Sequence, residues 1–317
     1  MRIKRSTRSW FRERRNTSNN SFFDFLHGYV YGRWPYAYIG IAIGEHRITK
    51  ILRPIYRAVS FPFKVIAFLF ARNKRDVNNG KSSKQKFADT YHGKVVPLEG
   101  ARKLVTLNQD VSLRNLEHVI PYDTARDIVL KNPDQLAVLQ CPCRTARKNP
   151  CTPLDVCLVV GEPFTSFILE HHPERARKIT SDEAVEILHE EDKRGHVHHA
   201  FFKDAMLGRF YAICNCCKCC CGAMQAHRNG TPMLASSGYV AKVDQTRCVV
   251  CGTCAKYCQF EAVTFINGVK EIDAEKCLGC GVCIPKCTKK ALTLERDTSR
   301  GIPLELDELM AEAEEGL

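Results

Sequence analysis

The sequence predicts an α+β protein, and three observations carry that prediction. Toward the C-terminal end four short stretches, AKVD, EAVTFI, KEID and KALTLE, alternate with the period of two that small β-hairpins need. In the middle, strand-like runs such as QLAVLQ alternate with helical stretches such as SDEAVEILHEEDKRG. The first 90 residues differ from both, being basic and aromatic together. The expected organisation is a basic amphipathic arm and linker over 1–90, a Cys-rich mixed α/β domain over 91–239, a small cysteine-repeat domain over 240–296 and an acidic tail over 297–317.

A chain of 317 residues with 44% apolar content can bury a real core. Its 18 cysteines would read as a disulfide framework in a short secreted protein. Here they cluster at metal-ligand spacings with no secretory signal, which points to a reducing cytoplasm, as in an anaerobe or a cell that shields oxygen-sensitive centres. The net charge of +12 is local: residues 1–90 hold 19 Lys or Arg against 5 Asp or Glu, and the remainder holds 28 against 30. In the arm, basic residues are interleaved with Trp34, Tyr36, Tyr38, Ile39, Phe61, Phe63 and Phe68. That mixture suits a membrane surface and argues against a nucleic-acid partner.

Taken in order, residues 1–20 are Arg-rich and polar and are expected to be disordered; Arg14-Arg15 precedes no apolar segment and is not an export signal. Within 22–71, Arg47, Lys50, Arg53 and Arg57 recur at helical spacing opposite Ile48, Ile51, Leu52, Ile55 and Val59. The apolar run Val65 to Ala71 is too short for a bilayer, which needs about 20 such residues. This segment is expected either to contact the inner face of the membrane peripherally or to dock on a partner protein, and residues 72–90 to be a polar linker.

In the middle domain, PYDTARDIVLKNPD reads as a helix capped by Asp123 and closed before Pro133, leading to the buried strand QLAVLQ. Next comes CPCRTARKNPCTPLDVC, with Cys141, Cys143, Cys151 and Cys157 in a Pro-stiffened loop and Arg144, Arg147 and Lys148 to offset thiolate charge. These four thiols are expected to hold one further metal centre. Their spacing fits iron–sulfur or tetrahedral zinc, and the company of the C-terminal repeat favours iron–sulfur. CLVVGEPFTSFILEHHPE reads as a strand and a helix, and SDEAVEILHEEDKRG as an amphipathic helix starting at Thr180 or Ser181 and stopped by Gly195. In GHVHHAFF, alternation puts His196 and His198 on one face and His199 on the other, which reads as a polar strand edge before it reads as a ligand set.

The run ICNCCKCCC places Cys214, Cys216, Cys217, Cys219, Cys220 and Cys221 within eight residues. Left free, such neighbours oxidise, so they are expected to be bound. An extended chain would turn Cys214, Cys216 and Cys220 one way and Cys217, Cys219 and Cys221 the other. They fit one or two additional iron–sulfur clusters, with or without ligands from the Cys141 to Cys157 group, or a redox-active thiol site.

The cysteine-repeat domain holds two copies of C-x2-C-x2-C-x3-C: Cys248, Cys251, Cys254 and Cys258, then Cys277, Cys280, Cys283 and Cys287. Three thiolates two residues apart can wrap three irons of a cube, and the fourth iron needs a ligand from elsewhere. From about Val240 to Leu294 the chain resembles a bacterial-type two-cluster ferredoxin domain. The resemblance implies two [4Fe-4S] clusters, one on Cys248, Cys251, Cys254 and Cys287 and one on Cys277, Cys280, Cys283 and Cys258, because the fourth cysteine of each run serves the other cluster. The chain departs from that pattern where Pro normally follows each fourth cysteine: Gln259 and Thr288 stand there. More widely, residues 115–295 resemble multi-cluster, Cys-rich ferredoxin-domain proteins of anaerobic prokaryotes, which implies electron transfer and supplies no substrate.

Radical-SAM spacing, a dinucleotide fingerprint and a P-loop are all missing from the sequence, which moves the substrate chemistry to a partner. The expected function is an iron–sulfur electron-transfer protein or subunit that relays single low-potential electrons to or from a redox partner, a flavoprotein or a membrane oxidoreductase complex. Arg247, Lys256, Lys276 and Lys286 offer such a partner a basic rim. The alternatives are an oxidoreductase whose own active-site cluster lies in the middle domain, and a scaffold that anchors an enzyme at the membrane. The tail reads as a solvated helix or a docking peptide.

Overall fold

The computed structural model describes residues 3–17, 20–47, 49, 81–266 and 269–315. The stripe of Ile48, Ile51, Leu52, Ile55 and Val59 and the run Val65 to Ala71 lie outside the described residues.

Where the composition predicts disorder, residues Arg5–Arg15 form α1. Its largest buried anchor is one side chain. Trp10 is completely buried and meets Phe25, Phe164 and Phe167 edge-on at ring separations of 5.7, 5.5 and 4.8 Å. A single indole among arginines scarcely moves a local composition, yet its burial, together with the hydrogen bonds of Ser6 N to Glu170 at 2.9 Å and of Thr7 Oγ1 with His171 Nε2 at 3.0 Å, works against the cost of ordering a short helix. Helix α2 (Phe22–Arg33) opens on a capping box in which Ser21 Oγ accepts from Asp24 N at 3.1 Å and the Asp24 carboxylate accepts from Ser21 N at 2.8 Å. Pro35 starts α3 (Pro35–Ala42). A second capping box, Ser82 with Gln85, starts α4 (Ser83–Thr90), so the end of the expected linker is helical.

The middle of the chain folds as β1 (Tyr91–Val96), α5 (Leu98–Thr106), β2 (Val111–Leu113), β3 (Ile128–Gln140), α6 (Pro142–Thr145), β4 (Asp155–Glu162), α7 (Phe164–His171), β5 (Ala176–Ile179), α8 (Ser181–Lys193), β6 (Val197–Lys203), β7 (Arg209–Cys216), α9 (Gly222–Arg228) and β8 (Leu234–Ala235). The strands make one sheet in the order β2-β3-β4-β7-β6-β1-β8, with β5 also on β3. Its pairs are antiparallel except β1 with β8. Alternation along β6 sends Val197 and Phe201 to one apolar cluster and Ala200 and Phe202 to the other, so each face of the sheet carries its own core.

Two sequence readings change here. The predicted helix ending at Pro133 is instead the first half of β3, whose pairing with β4 is irregular between Lys131 and Leu136; Asn132 has a positive φ of 47° and the bulge accommodates the proline. The sheet partner β2 decides this, pairing with Ile128, Val129 and Leu130, all three of which are buried. The His-bearing strand β6 is not an edge, since β1 and β7 flank it and every residue in it is buried. Other readings hold: β4, α7 and α8 stand where the sequence puts them, Thr180 Oγ1 accepts from Glu183 N at 3.2 Å, and Gly195, at φ 86°, ends α8.

The cysteine-repeat segment forms β9 (Tyr239–Val243), α10 (Thr253–Tyr257), β10 (Val263–Ile266), β11 (Val269–Ile272) and β12 (Leu292–Arg296), with β9 paired to β12 and β10 to β11. These are the four strands expected. The tail does not float: α11 (Leu306–Glu315) buries Leu306 and Leu309 in the core that α5 and α8 line. Among the described residues no helix is long and apolar enough to cross a membrane.

Candidate metal centres

In the cysteine-repeat domain, Cys248, Cys251, Cys254 and Cys287 line one small cavity together with Lys270. Gly252 at φ 76° and Val250 at φ 54° give the loop its tight wrap around that space. Cys258 keeps company with the second run. Burial pushes the Cys283 thiol up to about 12, and neighbouring Cys277, Cys258 and Cys254 add to it; burial likewise raises Cys280, with Cys283, Cys258 and Cys277 contributing. Each fourth cysteine thus stands among the first three of the other run. Backbone donors reach these sulfurs, Ala262 N to Cys258 Sγ at 3.3 Å and Ala291 N to Cys287 Sγ at 3.2 Å, as thiolate ligands require. The Thr253 hydroxyl, 3.4 Å from Cys251 Sγ, lowers that thiol. The donor chemistry fits iron–sulfur clusters.

Upstream, the ten remaining thiols divide differently from the sequence grouping. Cys151, Cys217, Cys219 and Cys220 bring their sulfurs within 4.8 Å of one another. The other six make a continuous series of thiol contacts, Cys141 to Cys143, Cys221, Cys216, Cys214 and Cys157. All six line a cavity of about 180 Å³, which Cys217 and Cys220 also border and whose remaining wall includes Ile39, Tyr91, Phe201 and Met233.

Cys151 therefore parts from Cys141, Cys143 and Cys157. The strict alternation expected for Cys214 to Cys221 also fails, for a local reason. Strand β7 ends at Cys216, having put Cys214 opposite Cys157 of β4; the chain then turns, and Cys221 becomes the residue before α9 and swings back to the cavity. At that return the backbone of Gly222 passes close to Ile43, and a Cβ there would lie 2.7 Å from Ile43 Cγ2 and force one of the two to move. Contacts with Cys157 and Cys216 hold the Cys214 thiol well below its usual range, and contacts with Cys143 and Cys216 do the same for Cys221. A thiol held low in this way is a better donor to a soft metal ion.

Behind the cavity lies a buried polar knot. Arg144, 1% exposed, donates to Pro153 O at 2.5 Å, to Asn215 O at 2.9 Å and to the Glu191 carboxylate, tying the two cysteine segments to α8. Glu191 also meets His196 Nδ1 at 2.6 Å; burial would raise its pKa, but His196 and Arg144 outweigh burial and hold it below the usual range. Asn215 faces His198, Oδ1 to Nδ1 2.6 Å, and donates to Val156 O at 2.8 Å. Arg144 was legible as a charge near thiolates; Glu191 and Asn215 were not, since an acid within an acidic helix and an amide between cysteines look like surface residues.

Gln259, which stands where a Pro was expected, accepts from Lys218 N at 2.9 Å and donates to Gly195 O at 2.8 Å. It joins the cysteine-repeat domain to the 217–220 turn, a task proline cannot perform.

A 4Fe-4S binding domain family matches residues 241–264, the stretch that holds the first cysteine run. A comparison with curated proteins returns no match. Together with the thiol groups described above, the match establishes a ferredoxin-type iron–sulfur domain at the C-terminal end of an α+β chain.

Proposed function

We propose that the chain relays single low-potential electrons between a partner oxidoreductase and centres in its middle domain, with residues 240–296 as the port. The observation that carries this is shared packing. Leu278 and Val282, with half-buried Cys280, Tyr257 and Phe260, belong to the same apolar cluster as Cys157, Cys214, Cys216 and Cys221. The ferredoxin thiols and the six-thiol cavity thus share one continuous core. In the two-cluster reading, Cys248, Cys251, Cys254 and Cys287 hold one [4Fe-4S] and Cys277, Cys280, Cys283 and Cys258 the other, each supplying reversible one-electron chemistry. Around them the chain sets hydrogen bonds, burial and positive charge from Lys270 and Lys286.

The test is anaerobic reduction of the full chain with dithionite, with iron, acid-labile sulfide and EPR followed together. The proposal expects about 8 irons lost in a Cys258→Ser/Cys287→Ser variant and reduced-cluster signals in the parent. A parent that takes up no electrons eliminates the relay. The cavity favours a second reading, an active-site centre in the middle domain. For that reading, the signal of the middle-domain centre, and not the ferredoxin signal, must change when a substrate is added.

The arm supports a place for the relay. While Phe25, Gly28 and Gly32 of α2 face inward, Phe22, Phe23, Leu26 and Val30 are exposed, as are Trp34 and Ile41, with Arg8, Arg12, Arg15 and Arg33 nearby in sequence. We place this face on the surface of an anionic membrane. Phe23→Ser/Trp34→Ser should weaken partition onto anionic vesicles by at least about tenfold, since each ring is worth roughly 1.5–3 kcal/mol when buried. Unchanged partition removes the membrane assignment.

A further inference from the structure

The ten upstream thiols contain two kinds of site, and we infer that Cys151, Cys217, Cys219 and Cys220 bind a single tetrahedral thiophilic ion, zinc or iron, without sulfide. Their sulfurs stand 3.2 Å (Cys151 to Cys219), 3.3 Å (Cys217 to Cys219), 3.6 Å (Cys151 to Cys217) and 3.7 Å (Cys219 to Cys220) apart. A metal–sulfur bond of about 2.3 Å in a tetrahedron puts its ligand sulfurs about 3.8 Å apart. The four thiols are thus already at the spacing of one ion. Ligands of a cube behave otherwise, because each binds a different corner iron and the cube itself holds them apart. The protein supplies its own comparison: among the described residues no three ferredoxin thiols, and no three of the six cavity thiols, draw within 4.8 Å of one another.

The surroundings fit a charged tetrathiolate. Four thiolates on a divalent ion leave about two negative charges. Arg147 donates through Nε and Nη2 to Cys220 O at 3.2 and 3.0 Å, Arg228 Nη2 donates to Lys218 O at 2.7 Å, and Cys151 N points at Cys220 Sγ, 3.4 Å away. Such donors set ligand orientation as well as charge.

The position gives the ion a task. Lys218, between two ligands, donates its N–H to Gln259 and pairs its Nζ with Glu261 at 3.0 Å, so the turn that wraps the ion is also the turn that grips the ferredoxin domain beside Cys258. Cys151 arrives from the loop before β4. The ion would fasten these three segments together and leave the six cavity thiols as the ligands of any polynuclear centre in the middle domain.

Zinc, iron and acid-labile sulfide counted in the anaerobically purified full chain and in Cys219→Ser test this independently of electron transfer. The expected change is a loss of about one metal per chain with sulfide unchanged. Loss of about four irons with their sulfide would show a cube at this site and overturn the inference, as would no loss at all. Cys219 is exposed, and retention of the ferredoxin EPR signal checks that the variant folds. As a second measurement, Co2+ exchanged into the parent should give thiolate-to-cobalt charge-transfer bands that Cys219→Ser lacks. A parent without those bands also overturns the assignment. The metal found separates a zinc fastener from a single redox-active iron.

Discussion

Arg144→Met should lower the stability of the chain by about 3 kcal/mol, seen as a lower midpoint at constant slope in anaerobic urea unfolding. Arg144 and Glu191 are both buried to about 1% exposure, so removing the cation leaves a carboxylate with reduced compensation, a loss that usually costs roughly 3–5 kcal/mol. The lower end applies because Glu191 retains His196 at 2.6 Å and Arg194 at 3.2 Å. The carbonyls of Pro153 and Asn215 lose their donor as well, which unfastens the segment bearing Cys141 and Cys143 from the segment bearing Cys214 and Cys216. Middle-domain metal should fall while ferredoxin metal persists. The double variant Arg144→Met/Glu191→Leu should recover part of the stability, since an apolar pair replaces a buried ionic one at little cost. If the single variant is as stable as the parent, the knot contributes nothing.

Mild acid should destabilise the fold steeply, by about 4 kcal/mol between pH 7.5 and 5 from two histidines alone. Burial lowers His92 and His198 from 6.5 to about 4 each. Between those values the unfolded chain binds more protons than the folded one, so the stability conferred by the neutral rings is present above pH 6.5 and is lost as pH falls toward 4. At pH 5 each contributes roughly 2 kcal/mol to the loss. Asp204 opposes them, because burial raises it to about 6, but it is partly solvated and worth at most about 1 kcal/mol there. The histidines win. His92, stacked on Tyr122 at 3.7 Å and bonded to Ala88 O at 2.8 Å, lies in β1, away from the thiols. His92→Gln should therefore reduce the slope of stability against pH by up to about 1.4 kcal/mol per unit without touching metal content. An unchanged slope would falsify the assignment.

The parts of this protein legible in its sequence are those whose cause is local. The first three cysteines of a C-x2-C-x2-C-x3-C run lie two residues apart, so the iron–sulfur character of the segment holding Cys248, Cys251 and Cys254 is legible without a fold, and period-two alternation marks β9 to β12 for the same local reason. Helix α8 carried its own cap and stop. What the sequence misplaced had distant causes. Trp10 is buried only because Phe164 and Phe167 wait beneath it, and Ile128 to Leu130 extend because β2 offers them a ladder.

The cysteine segments show the division most clearly. Sequence alone determined that ten thiols crowd two segments upstream of an iron–sulfur domain. Only the tertiary structure decided which thiols meet. Pairing of β4 with β7 sets Cys157 against Cys214, and the turn after Cys216 sends Cys217, Cys219 and Cys220 to Cys151 while returning Cys221 to the cavity. It also decided the use of Gln259, whose amide grips Lys218 and Gly195 where a proline had been expected. Spacing along a chain constrains ligands a few residues apart; strand register and a turn constrain those brought together from far along it, and neither is written in any one segment.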